Sequence, residues 1–248
     1  MTQIEAVTFD LWDTLIQEVP GGAGVVAELR LDAIQRILDG SGFNPTRETL
    51  EAAYRRTGDR LEAIWSREED ISVGEQVHFL LDSLDPGLLK RIGSSTLADV
   101  EKAYSESMLQ HRPKLLTGAK ATLVAVKESG RKMGLISNTG KTPGSVLRAM
   151  LGDMDILDRF DVAVFSNEVR ARKPARKIFD VALAELDVKP GRAVHVGDNP
   201  WADIDGAKVA GMSAIQVGLE TARGRYVADA YVPRIEQVTP ALESLASR

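Results

Sequence analysis

The chain has 248 residues, of which 44% are hydrophobic, 27% charged and 5% aromatic, and it contains no cysteine. Such a mixture excludes a disordered chain, a collagen-like repeat and a membrane-embedded body. The missing thiol excludes a disulfide framework, a thiolate nucleophile and a cysteine-built zinc site. Thirty-one basic against thirty-six acidic side chains leave a net charge of −5. With no long basic run and few aromatic residues to stack on bases, nucleic acid is not an expected partner.

The opening stretch MTQIEAVTFDLWDTLIQEV carries Glu5 and Asp10 where a secretory signal needs a basic flank and an unbroken apolar stretch. Nothing further on approaches the roughly 20 apolar residues that span a bilayer. A soluble cytoplasmic protein with no membrane partner is expected. Ile4–Phe9 reads as the first strand. Val25–Leu38, Thr46–Ser66, Ser72–Ser83 and Thr96–His111 then read as helices, with Gly21-Gly22-Ala23-Gly24 and Arg112-Pro113 as hinges at the two ends of the block. Four further apolar runs, Met133–Ile136, Val162–Phe165, Ala193–Val196 and Ala214–Val217, have the near-continuous apolarity of strands buried on both faces of a parallel sheet. Helical patterns accompany them at Thr117–Glu128, Ala175–Glu185 and Trp201–Ala210.

The expected fold is therefore α/β, a three-layer sandwich around a parallel, Rossmann-like sheet. Residues 1–16 and 113–248 build its core. The helical block, residues 17–112, is inserted as a small domain over the C-terminal end of the first strand, where ligands bind in open α/β sheets. There are no internal repeats.

Small polar and charged side chains stand just past the apolar runs. Asp10-Leu11-Trp12-Asp13-Thr14-Leu15 follows the first strand and Ser137-Asn138-Thr139-Gly140 the second. Arg172-Lys173-Pro174 lies between the third and fourth, and Gly197-Asp198-Asn199-Pro200-Trp201-Ala202-Asp203 follows the fourth. Taken singly, each has an ordinary reading. Asp10 suits a turn and Ser137 a cap. Lys173 suits a solvated loop beside Arg170, Arg172 and Arg176, and Asp203 a first helical turn.

Taken in order, they resemble the haloacid dehalogenase superfamily of hydrolases. Its pattern is an Asp-x-Asp-x-Thr loop, a strand-end Ser or Thr, a Lys, and Gly-Asp-x-x-x-x-Asp. The resemblance covers residues 4–16 and about 113–218, with VGDNPWADIDGAKVAGM its most specific stretch. The inserted block is similar to the cap of the subclass with an α-helical lid. This resemblance implies that Asp10 is a nucleophile attacking a small phosphorylated substrate through an aspartyl-phosphate, which splits one difficult displacement into two. It implies Mg²⁺ held by Asp10, the backbone carbonyl of Trp12, Asp198 and, directly or through water, Asp203; hard oxygen ligands suit that ion. Lys173 would neutralise the phosphoryl oxygens, while the Ser137 hydroxyl and the Asn138 N–H hold one of them.

One position departs from the pattern. The family's phosphatases carry a second Asp two residues after the nucleophile, which protonates the leaving group; Trp12 stands there and cannot transfer a proton. Asp13 is one residue too late to inherit the role by sequence alone. General acid–base assistance is worth about 10²–10⁴-fold, and its loss falls hardest on alkoxide leaving groups. The 2-haloacid dehalogenases of the superfamily also lack the second Asp, but they replace the first of the paired downstream acids, which Asp198 retains here. Metal-dependent phosphoryl chemistry therefore ranks first. Dehalogenation, and a degenerate protein that binds a phosphorylated ligand or partner without turnover, are the alternatives.

Three weaker signals fail. Asp203-Ile204-Asp205-Gly206 lacks calcium ligands at either end of the loop, and Gly140-Lys141-Thr142 lacks the upstream glycine of a P-loop. His195, within an apolar run, reads as a packed strand residue. In the helical block, Arg30, Arg55, Arg56, Arg60 and Trp65 are assigned no role.

Overall fold

In the computed structural model, which describes residues 4–218 and 224–247, β1 spans Ala6–Phe9 and β2 Ile16–Gln17. The helices α1 (Gly22–Gly40), α2 (Arg47–Trp65), α3 (Val73–Leu84), α4 (Leu88–Arg91) and α5 (Ser94–Glu106) follow before β3 (Lys114–Leu115). The chain then runs through α6 (Ala119–Glu128), β4 (Lys132–Ser137), α7 (Gly144–Asp153), β5 (Val162–Phe165), α8 (Ser166–Val169) and α9 (Arg176–Leu186). It ends with β6 (Ala193–Gly197), α10 (Gly206–Ala210), β7 (Ser213–Val217), β8 (Ala230–Val232) and α11 (Val238–Ala246). Residues 1–3 and 248, the outer limits of the expected core, lie outside the described residues.

Six strands form one parallel sheet in the order β5-β4-β1-β6-β7-β8. All five expected strands are in it. The sixth, β8, is a three-residue edge strand, too short to leave a period in the sequence. Val7, Phe9, Met133, Leu135, Val194 and Val196 are buried against α6, α7 and α11 on one face. Ala6, Ile136, Val164 and Ala214 are buried against α9 and α10 on the other. Sequence order leads outward from β1 to β4 and β5, then returns to the other side of β1 for β6. Ligands bind in open parallel sheets at such a switch point. Phe9 lies opposite Leu135 and Val196, so β1, β4 and β6 deliver their following residues to one level.

The five helices α1–α5 have a hydrophobic cluster of their own, with Ile34, Leu38, Leu50, Leu80, Leu81 and Tyr104 fully buried. Two start on side-chain caps. Thr46 accepts the Thr49 N–H, and Ser72 and Glu75 satisfy each other's backbone N–H in a capping box. The glycine run read as a hinge is mostly helical: Gly21 caps α1 with φ 76°, and Gly22, Ala23 and Gly24 form its first turn. The two crossings between helices and sheet are instead paired with each other, Ile16 opposite Leu115 and Gln17 opposite Lys114. No helix among the described residues is long and apolar enough to cross a membrane.

A buried polar seam joins the helical block to the sheet. Asp70, in the turn between α2 and α3, is 2% exposed. Its Oδ2 accepts from Ser166 (2.5 Å), Arg172 (2.9 Å) and Thr139 (3.3 Å), and its Oδ1 accepts from Trp65 Nε1 (3.1 Å). The Arg172 guanidinium also lies over the Trp65 ring, and Gln76 donates to the Gly140 carbonyl. At the solvent edge, Arg170 grips both oxygens of Glu75 at 3.0 and 2.8 Å. The hydrogen bonds from Arg170 and Ser72 push the Glu75 carboxyl down to about 2 from its ordinary 4.5. A depressed carboxyl stabilises the fold above its unfolded pKa and loses that contribution as pH falls through the folded one. Glu75→Gln keeps the capping box and removes the ion pair. Thermal melts of the two proteins should therefore differ most above about pH 5 and converge toward pH 2, the gap staying below about 1 kcal/mol for so exposed a pair.

Candidate active site

The expected residues converge. Asp10 follows β1 directly, is 6% exposed, and donates its N–H to the Val196 carbonyl of β6 (2.8 Å). Lys173 is 2% exposed, and its ammonium touches Asp10 Oδ1 and, at 2.7 Å, Asp203 Oδ1. One carboxylate oxygen from each of Asp10, Asp198 and Asp203 lies within 4.8 Å of the other two. Ser137 ends β4 with its side chain fully buried, and half-buried Trp12 lines the adjoining cleft. The Asn138 side chain clasps the backbone of Lys173 on both sides, donating to its carbonyl (3.0 Å) and accepting its N–H (2.8 Å). The residue expected to act through its N–H thus also fixes the loop that aims Lys173.

Local sequence explains how the acids come so close. A Cβ on Gly197 would sit 2.4 Å from Asp203 Cγ, so glycine is needed where Asp203 folds back over the end of β6. Asn199 accepts the N–H groups of Trp201 (3.0 Å) and Ala202 (2.9 Å), starting a wide turn over Pro200–Asp205 that runs into α10. That turn carries Asp203 inward, where its Oδ2 accepts the Asn199 N–H at 2.9 Å.

Charge in the site is unbalanced. Burial, reinforced by the Asp203 and Asp198 charges, pushes the Asp10 carboxyl up to about 7 against the pull of Lys173. Burial and the neighbouring Asp203 and Asp13 raise Asp198 to about 6. Burial would also raise Asp203, but Lys173 and His195 beside it hold it well below the ordinary carboxylate range. Burial alone would lower Lys173, and Asp10 and Asp203 more than reverse that, so it stays an ammonium. Three clustered carboxylates against one cation leave negative charge that a divalent ion held by hard oxygen donors would neutralise, so the donor set fits such an ion.

The neighbouring cations sort themselves. Arg170 pairs with Glu75, Arg172 with Asp70 and Arg176 with Asp180, leaving Lys173 to face Asp10. Asp13 is exposed in a left-handed conformation (φ 58°), near enough to Asp198 to raise its pKa, and it does not line the cleft beside Trp12. His195 is buried and packed, as its apolar setting implies, but it also bonds at both ring nitrogens, to Thr8 Oγ1 (2.8 Å) and Asp203 Oδ1 (3.3 Å). An apolar flank in sequence concealed that second contact. Asp70 was invisible too, because its partners are distant in the chain.

Beside the acids, a cleft of about 390 Å³ opens between the helical block and the sheet, walled by Trp12, Arg30, Tyr54, Asn138, Lys141 and Arg172 among others. A larger depression, about 780 Å³, lies at the opposite end of the sheet around Glu5, Lys132 and Asp187 and contains none of the grouped acids.

A sequence model of the haloacid dehalogenase-like hydrolases matches residues 4–211. The chain belongs to that family and is a hydrolase. It is 26% identical over 228 residues to a phosphoserine phosphatase of Thermus thermophilus, covering 86% of this chain and 88% of the relative. It is 30% identical over 229 residues to a glyceraldehyde 3-phosphate phosphatase of Methanopyrus kandleri, covering 90% and 86%. A solved 2-haloacid dehalogenase of Pseudomonas syringae superposes with a TM-score of 0.71 at 23% identity over 98% of this chain and all of that one, a likeness of fold.

In this hydrolase, Lys173→Met would leave Asp10 and Asp203 buried without their cation. Urea unfolding in EDTA should show a loss of about 3–5 kcal/mol. Adding a divalent cation should restore part of it; no recovery would count against a cation site at the acid cluster.

Proposed function

We propose that the chain is a Mg²⁺-dependent phosphatase of small phosphorylated molecules that works through an aspartyl-phosphate on Asp10. The clustering of Asp198 and Asp203 with Asp10 around Lys173 carries this reading. The two phosphatase relatives support it. The Asp198 carboxylate argues against the dehalogenase alternative, since a further acid beside the nucleophile repels a carboxylate substrate unless a cation offsets it.

Asp10 attacks the phosphorus in line with the leaving oxygen, whose P–O bond breaks. Water then attacks the same phosphorus, breaking the bond to the Asp10 oxygen, and the carboxylate is regenerated as inorganic phosphate leaves with the water's proton. Lys173 stays protonated throughout and neutralises a phosphoryl oxygen. The Ser137 hydroxyl and the Asn138 N–H hold another. Asp10, Asp198, Asp203 and the Trp12 carbonyl would hold Mg²⁺, which supplies charge neutralisation at the phosphoryl group. Residues 17–112 act as a cap that excludes water and selects substrate. With Trp12 in place of the acid, the leaving group departs without a proton, so aryl and acyl phosphates are preferred over alkyl esters. The same reading places the enzyme in the cytoplasm.

Hydrolysis of phenyl phosphate should require Mg²⁺, stop in EDTA and vanish in Asp10→Asn, while an alkyl ester turns over slowly. Trp12→Asp should raise the alkyl rate more than the aryl rate, by up to about 10²–10⁴-fold. Equal gains on both would mean that another group already supplies the proton. Halide release from a 2-haloacid without metal would overturn the phosphatase reading, and Mg²⁺-dependent turnover lost in Asp10→Asn would overturn a binding-only role.

A further inference from the structure

The cleft beside the acids holds two cations that no carboxylate pairs with among the described residues. Arg30 of α1 is 4% exposed. Its Nε donates to the Tyr104 carbonyl (2.6 Å) and its Nη1 to the Tyr54 hydroxyl (2.8 Å), and both acceptors are uncharged. Lys141, just beyond Thr139-Gly140, holds its ammonium 4.9 Å from the centre of the Tyr54 ring and makes no hydrogen bond or ion pair with a described residue. Arg30 is buried and Lys141 half-buried, and cations withdrawn from water ordinarily lie against an anion. Here Tyr54 stands between two that lack one.

A third group points the same way. Thr142 is 4% exposed, and its buried hydroxyl has no hydrogen-bond partner among the described residues. Arg30, Lys141 and Thr142 all line the same cleft, which also reaches Asn138 and Trp12. The third cation in the wall, Arg172, is already occupied by Asp70. Glu18, also in the wall, is exposed and pairs with no cation of the cleft. Burial lowers the Lys141 pKa, Arg30 lowers it further, and Glu62 offsets part of this from a distance without forming an ion pair. Two like charges thus flank Tyr54, near enough to repel and with no carboxylate paired to either among the described residues.

We propose that Arg30, Lys141 and Thr142 form a second anion subsite, which takes a carboxylate or second phosphate at the far end of the substrate. The proposal rests on the phosphatase reading and narrows it, to monoesters that carry another oxyanion. About 390 Å³ accommodates a small molecule with a charge at each end. Trp12, also in the wall, offers an apolar surface to the part that joins them. Tyr54 orients the guanidinium through its hydroxyl and accepts the ammonium on its face.

The test uses non-hydrolysable ligands, so that binding is read apart from turnover. Titration calorimetry with Mg²⁺ present compares benzylphosphonate, 4-carboxybenzylphosphonate and the corresponding para-bisphosphonate on the full-length protein. A charge-assisted contact should make one or both dianchored ligands bind about 10- to 100-fold tighter than benzylphosphonate. Whichever gains more tells carboxylate from phosphate. Lys141→Met and the isosteric Thr142→Val should each shrink that ratio, Lys141→Met to within about threefold. Equal binding of all three ligands, or a preference that survives both substitutions, overturns the subsite while leaving the phosphatase reading intact. A preference that Lys141→Met abolishes, in a protein that hydrolyses neither phenyl nor 4-carboxyphenyl phosphate, supports the subsite and removes the phosphatase reading. Failure to bind any of the ligands together with absent hydrolysis overturns both.

Discussion

The crowding of Asp10, Asp198 and Asp203 around the Lys173 ammonium is the constraint that the rest of the structure serves. Burial first, and then the repulsion of like charges brought together, raise the Asp10 and Asp198 carboxyls. The fold holds them there by distributing the task. A parallel sheet ends β1, β4 and β6 at one level, and the bare backbone of Gly197 lets Asp203 fold over β6. Asn138 clamps the Lys173 backbone, and His195, itself held by Thr8, backs Asp203 from within the sheet. Each of these contacts limits an ion's freedom to drift away from its neighbours. A site prestressed in this way is ready to receive positive charge.

The helical block meets this rigid floor through a polar seam as well as through Val26 and Met108, which join the sheet's hydrophobic cluster. Its own cluster is closed around Ile34, Leu80 and Tyr104, and Asp70 reaches across to gather Ser166, Thr139 and Arg172. Buried hydrogen-bonded seams of this kind are specific in register, because misplacing one partner leaves another unsatisfied. They are also separable, since water can replace every bond when the seam opens. Trp12 and Arg172 of the sheet part line the cleft together with Arg30 and Tyr54 of the helical block, so the wall near the nucleophile is shared between the two. Access and chemistry are thereby linked through the same few side chains.

Much of this could be read from the sequence because the sheet is buried on both faces. Val162–Phe165 was legible as an unbroken apolar run, and the remaining expected strands differ from the observed ones by one or two residues at an end. The acids and Lys173 were legible through an ordered pattern of motifs, and the structure brings them together. Short elements were not: β8 and the β2–β3 ribbon are two or three residues long and have no period to detect. Contacts made across great chain separation were equally hidden. Nothing near Asp70 in the sequence announces Ser166, and nothing around Arg30 announces Tyr104 or Lys141. The choice of Lys173 among four neighbouring cations needed the pairing of the other three to become physical.

The β2–β3 ribbon bears on how the chain finds its fold. The central strand β1 must pair with β4, Ala6 beside Lys132, with the whole helical block lying between them in sequence. Closing so long a loop from an unfolded chain carries an entropic penalty that grows with its length. The block, however, has a self-contained core built from neighbouring helices, and local contacts of that kind form rapidly. Once it has collapsed, its two ends emerge together, because Ile16 sits opposite Leu115. What remains for the sheet to close is then a short path, from Leu115 through α6 to β4. The insertion that interrupts the sheet in sequence thus acts as a staple during assembly.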